Sequence, residues 1–238
     1  MSRIIIRQGR IIDPAQGLDT VADLFIEAGK IAAIGEQLPT PTDSQSIDAQ
    51  GQIVCPGLID LSVRLREPGL SHKGTIASET RAAAAAGVTT LCLPPDTKPS
   101  IDSPAVVELI KDKAQQAHYP QILTIGALSQ RLAGSELNNL FALKQAGCIA
   151  VSNGHEALDN LLILRRAMEY AASHDLLIIY RANEPALSGK GCAHEGQFAS
   201  RYGLPSIPAA AESIAIAQCL ELAELTGCRL HISQISCM

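Results

Sequence analysis

Tryptophan is missing from this 238-residue sequence, and three phenylalanines and four tyrosines supply all of its aromatic rings. A core must therefore be built mainly from Ile, Leu, Val and Ala, which a chain that is 47% hydrophobic and 18% charged can do. No C-x-x-C pair occurs. The seven cysteines stand singly (Cys55, Cys92, Cys148, Cys192, Cys219, Cys228, Cys237), so a disulfide framework and a structural zinc site both lack their usual spacing. Five of them lie in or beside apolar segments, where a free thiol packs as a small hydrophobe.

The six histidines (His72, His118, His155, His174, His194, His231) form no H-x-H, H-x-x-x-H or H-x-x-E group. Lysine and arginine are scattered over a chain of net charge −5, which argues against binding to nucleic acid or to an anionic membrane. The apolar run that begins at Ile4 breaks at Arg7, too early for a signal peptide or a spanning helix, so a cytoplasmic location is expected.

The first fifty-odd residues carry short β-rich runs, RIIIRQGRII and DLFIEAGKIAAIG, the second with Gly29 placed for a tight hairpin. They predict a small N-terminal β-sandwich subdomain over 1–55, with a surface loop at Leu38 to Gln45. From there apolar strands alternate with helical stretches, the signature of βα units and an α/β fold with a parallel sheet. Predicted strands are Leu58–Val63, Val88–Leu93, Ile122–Ile125, Ile149–Val151, Leu176–Tyr180 and Arg229–Ser233. Predicted helices are Thr75–Ala86, Pro104–Ala117, Glu136–Ala146, Glu156–Ser173 and Ala209–Thr226, three of them closed by Gly87, Gly147 and Gly227. A long loop is expected from Asn183 to Pro208. Six βα units over 56–238 fall short of the eight of a TIM-type (β/α)8 barrel, so the barrel is expected to be incomplete in this chain.

Several segments resemble dihydroorotase, the zinc-dependent cyclic amidohydrolase of pyrimidine biosynthesis. They are PGLID and LREPG within Pro56 to Gly69, TIASETRAAAAAGVTT, PPDTKPSIDS, NEPALSGKG, HEGQFASRYGLPSIPAAAE and RLHISQIS, in the family's order. The resemblance implies an amidohydrolase-like barrel, and it implies where the metal ligands of active members would stand. The first-strand His-x-His falls on Ser62 and Arg64, the strand-four carboxylates on Asn153 and Gly154, the strand-five histidine on Arg181, and the second strand-six histidine on Gln234, with His231 at the first. The strand-eight aspartate, the expected general base, would lie beyond Met238.

Serine and amide oxygens are poor zinc ligands, and arginine stays protonated and repels a cation. The resemblance therefore implies no zinc cofactor here and no metal-dependent hydrolysis. Arg66 and Asp96 fall where the family grips the substrate carboxylate with an arginine and an asparagine. An aspartate there is expected to pair with Arg66 and repel that carboxylate, while Arg64 and Arg181 are expected to replace the metal's charge by pairing with Asp60, Asp96 or Glu184.

The leading expectation is a non-catalytic, dihydroorotase-like protein that associates with the aspartate carbamoyltransferase catalytic subunit in a hetero-oligomer, as such chains do in some bacteria. The competing expectations are an active dihydroorotase with atypical ligands, or a regulatory module that binds a ligand through Arg66.

Overall fold

The structure, a computed structural model, describes residues 3–117, 121–156, 158 and 160–237. His118, Met238 and, at the expected start of the fourth helix, Ala157 and Asp159 lie outside the described residues. The chain divides into two compact units, Met1–Leu58 and Ile59–Met238.

The first unit is one mixed sheet of five strands: β1 (Arg3–Asp13), β2 (Leu18–Glu27), β3 (Lys30–Gly35), β4 (Ser44–Asp48) and β5 (Ile53–Val54), in the order β3-β2-β1-β4 with β5 also beside β1. Alternation along the strands buries Ile5, Ile11, Ala22 and Leu24. The β2–β3 hairpin turns at Ala28-Gly29, where Gly29 has φ 75°, the left-handed conformation that glycine adopts at no steric cost. Asp23 is the one charged residue buried in this sheet among the described residues; it accepts from Gln8 N at 2.9 Å, Leu38 N at 3.1 Å and the Arg7 guanidinium. Those donors satisfy a carboxylate whose burial alone would be costly.

The second unit is built on a six-stranded sheet: β6 (Leu58–Asp60), β7 (Val88–Leu93), β8 (Gln121–Ala127), β9 (Ala150–Ser152), β10 (Leu177–Tyr180) and, last in the chain, β13 (Leu230–Ile232). Its order follows the chain, and the pairs from β7 through β13 are parallel. The intervening helices are α1 (Ile76–Ala85), α2 (Pro104–Ala117), α3 (Leu140–Gln145), α4 (Leu161–Ser173) and, before β13, α7 (Ala210–Thr226). This is the arrangement of a TIM-type barrel six strands into its winding, and the core cluster of Leu91, Leu93, Ile110, Leu143, Met168 and Ile178 is aliphatic as the composition requires.

Five elements differ from the predicted ones. The third helix begins at Leu140 rather than Glu136, because Asn138 donates to the carbonyls of Asp102 and Ala127 while Asn139 accepts from Ala142 N as the helix cap. The fourth begins at Leu161, capped by Asn160 through Ile163 N at 3.0 Å. The expected loop from Asn183 to Pro208 is folded: α5 (Pro185–Ser188), β11 (Ala193–His194), α6 (Gln197–Tyr202) and β12 (Ser206–Ile207) lie within it, with β11 and β12 forming a two-stranded parallel sheet. Likewise β4 begins inside the predicted loop at Leu38 to Gln45. The first barrel strand is shorter than predicted and ends at Asp60, whose carboxylate turns back to accept from Ser62 N at 2.9 Å.

Candidate functional site

The residues expected at the family's ligand positions follow the C-terminal ends of strands, where a parallel βα sheet presents its loops and where barrel enzymes keep their sites. Ser62 and Arg64 follow β6, Asn153 and Gly154 follow β9, Arg181 follows β10 and Gln234 follows β13. Ser62, Arg64 and Gln234 line one cavity of about 170 Å³ together with His155 and His231. Arg181 lines a second recess of about 270 Å³ that also takes in His155 and Gln234, so the two spaces share a wall. Strands far apart in sequence thus bring Ser62, Arg64, Gly154, Arg181 and Gln234 to one mouth, while Asn153 lines neither space.

The first loop of the mouth is fixed by close packing. Gly69 in LREPG has φ 109°, and a Cβ there would sit 2.4 Å from the Lys98 Cβ and 2.6 Å from its carbonyl oxygen, so only glycine lets the two loops meet. Lys98 N donates to Pro68 O at 3.2 Å across the same contact. Glu67 anchors this loop to the helices behind it, accepting from Lys113 Nζ at 2.7 Å and Ile76 N at 2.9 Å. Burial pushes its carboxyl up, but these donors outweigh that and hold it below the ordinary range.

Asp96 pairs with Arg64, whose Nε lies 2.7 Å from its Oδ2. The expected partner, Arg66, shares a small recess with both but makes no ion pair among the described residues. The cause is local: β6 stops at Asp60, and Arg66 takes φ 64°, so the side-to-side alternation of a strand has lapsed before it reaches this residue. Arg181 pairs with none of Asp60, Asp96 or Glu184; among the described residues it has neither an ion pair nor a hydrogen bond through its guanidinium. The two arginines expected in place of the metal's charge therefore differ: Arg64 is paired with Asp96, and Arg181 has no ion pair among the described residues.

Asn153 is buried and structural. Its Oδ1 accepts from Ser129 Oγ at 2.5 Å and its Nδ2 donates to Glu156 O at 3.1 Å, tying the loop after β9 to the turn after β8. Gln234 is exposed and adopts φ 59°. His155, in the cavity wall, has a pKa held below the ordinary histidine value by burial and by the positive charges of Arg64 and Arg181, against the opposing pull of Asp96 and Glu156.

Two features of the mouth are not visible in the sequence. His155 and His194, 39 positions apart, line the same recess, and Glu212 in the first turn of α7 closes its far side. Both carboxylate oxygens of Glu212 accept from Ser236 N at 3.0 Å, and they also take Ser236 Oγ at 2.6 Å and Cys237 N at 2.8 Å. No local pattern announces a clamp that spans 24 residues. All seven cysteines are free thiols; burial raises the pKa of those at the core, Cys219 up to about 11, while Cys237 lines the recess beside Gln234 and Ser236.

These donors do not fit a catalytic zinc, which needs about three lone-pair ligands around an open position. Two of the positions carry guanidinium groups without a lone pair to give, and among the described residues no group of three His, Cys, Asp or Glu side chains converges as a metal site would require. Also among the described residues, no helix is long and apolar enough to cross a membrane.

The family model and the curated relatives agree on one family. The model of the dihydro-orotase-like family matches residues 51–238. A dihydroorotase-like protein of Pseudomonas aeruginosa is 49% identical over 98% of this chain and 55% of its own length, and a protein of the same description from Pseudomonas putida is 48% identical over the same shares. A dihydroorotase of Solibacter usitatus is 46% identical, covering 98% of this chain and 54% of its own. The chain spans about half the length of these curated relatives. Among solved structures, an L-hydantoinase from Arthrobacter aurescens superposes with a TM-score of 0.79 at 23% identity, over 99% of this chain and 53% of that one. A D-hydantoinase from Thermus gives 0.76 at 22%, with the same coverage, so the fold is shared well beyond the level of sequence.

Proposed function

We propose that this chain, which belongs to the dihydroorotase-like family, is a non-catalytic member acting in pyrimidine biosynthesis as a scaffold for the catalytic subunit of aspartate carbamoyltransferase. The supporting observation is the Arg64–Asp96 pair. A ligand position and a substrate-binding position, 32 residues apart, have been joined to each other at 2.7 Å, so neither is presented for its ancestral task. Ser62, Arg181 and Gln234 extend the same substitution around the mouth, and a barrel kept without its chemistry needs another use for its surface.

The partner follows from the family resemblance of the residues, and the exposed apolar side chains of the first unit suit association. Val21, Ile31 and Ile53 are each about 60% exposed. The five-stranded sheet of that unit is, in this reading, one layer of a small β-sandwich. A cytoplasmic location accompanies the pathway.

Light scattering after gel filtration of the protein mixed with aspartate carbamoyltransferase catalytic subunits of the same organism tests the scaffold role. One co-eluting complex larger than either component is expected. Separate elution at micromolar concentrations of both, together with hydrolysis of dihydroorotate by this protein, would return the reading to an active dihydroorotase with atypical ligands.

A further inference from the structure

We propose that the recess lined by Arg181 is a binding site for one small oxyanion, a phosphate or a short carboxylate, in the place where the family would hold a cation. The inference rests on the metal-free reading of the mouth and is independent of the scaffold role.

The two arginines at ligand positions are not equivalent. Arg64 is neutralised by Asp96 at 2.7 Å. Arg181 is half-buried, lines a recess of about 270 Å³, and has no acceptor for its five N–H donors among the described residues. A guanidinium confined without an acceptor favours a ligand that brings two oxygens in one plane, as carboxylates and phosphates do.

The neighbouring groups suit the same ligand. Gln234 offers an amide donor, and His155 and His194 present imidazoles that can donate from one nitrogen or from both. Glu212 is the carboxylate among the residues lining the recess, and its charge opposes an anion. It is engaged, however, by three hydrogen-bond donors of Ser236 and Cys237 at 2.6–3.0 Å, and those contacts hold it below the ordinary carboxylate range through the Ser236 hydroxyl first and the backbone amides after it. Glu212 thus spends its acceptors on the segment after β13 and not on Arg181.

Size narrows the class. A recess of about 270 Å³ lies at the lower edge of the ~300–1,000 Å³ typical of sites for drug-sized ligands, which suits an oxyanion group with little attached to it.

Titration of the full chain with inorganic phosphate and, separately, with malonate, followed by calorimetry and by the His155 ring signals in NMR, tests the site. Saturable one-to-one binding of at least one anion is expected, with an upward move of the His155 titration midpoint on saturation. Phosphate alone, or malonate alone, identifies which oxyanion the recess prefers. Arg181→Gln should weaken binding about tenfold or more, the loss of a charge-assisted contact, while Arg181→Lys retains part of it. Arg66→Gln should leave the affinity as it is in the unaltered protein, since Arg66 lines a different recess. Should Arg181→Gln fail to fold, Gln234→Leu and His155→Gln report on the same recess. No saturable binding of either anion, binding undiminished in Arg181→Gln, or binding abolished only by Arg66→Gln would overturn the proposal. Zinc uptake is measured separately by dialysis, so failure of the anion site and failure of the metal-free reading give different results.

Discussion

Asp96→Asn separates the two roles that single side chains hold at the mouth. It removes the partner of Arg64 from a pair whose side chains are about one-third exposed, so the loss of stability measured by urea unfolding should be small, about 1 kcal/mol or less. The same change leaves Arg64 bare beside His155 and should push the His155 midpoint further down in an NMR titration; a midpoint that moves up contradicts the placement of these charges. His155 itself makes stability depend on pH. Its folded pKa is lower than that of the unfolded chain, so below the ordinary histidine value of about 6.5 the unfolded chain takes up a proton that the folded chain resists. Stability is therefore lost as pH falls through that range and is retained above it. His155→Gln should flatten this part of the pH profile measured by thermal unfolding. The identities at 62, 64, 153, 181 and 234 were legible from the motifs around them, but which arginine meets Asp96 was not. That depends on where β6 stops and on the left-handed turn at Arg66, neither of which strand alternation can foretell.

Caps and glycines set the boundaries at the next scale. Gly87, Gly147 and Gly227 each take positive φ after a helix, as their positions in the sequence predict. The asparagines compete with the helix for backbone groups, which is why Asn139 and Asn160 cut two predicted helices short while Pro104–Ala117 came out as read. Asn160→Ala should cost about 0.5–2 kcal/mol in denaturant unfolding, the range for losing an N-cap side chain; no change would show that the cap is frayed in solution. Gly69→Ala should cost more. Its backbone conformation alone is worth about 1–3 kcal/mol of strain in an alanine, and the added methyl must also displace Lys98. Long-range clamps such as Glu212 with Ser236 stay invisible to any reading of local pattern, because the donors lie on the segment after β13 and the acceptor on α7.

At the scale of the whole molecule, the six-stranded sheet ends in β6 and β13 without strand neighbours on their outer sides among the described residues. Leu58, Ile59 and Leu61 around β6 are 56–61% exposed, and Ile235 after β13 is 60% exposed. An unpaired edge flanked by apolar side chains is a template for association. This chain by itself should therefore self-associate as its concentration rises, as seen by sedimentation velocity, and Ile59→Lys with Leu61→Lys should shift it toward monomer; concentration-independent sedimentation of the unaltered chain would contradict this. The alternation of strands and helices made this architecture readable, and the six units were countable from their spacing. The folded excursion between Asn183 and Pro208 was not, since its strands are two residues long and owe their pairing to each other rather than to a periodic sequence.

Central to the whole reading is that guanidinium and amide groups have taken the places of metal ligands. Zinc content after dialysis against the metal at neutral pH, with the exposed Cys55 and Cys192 thiols alkylated first, tests this most directly. Retention of far less than one zinc per chain is expected, and histidines restored together at 62, 64, 181 and 234 should raise it. One tightly held zinc per unaltered chain, lost on alanine substitution of Ser62 and Gln234, would contradict it.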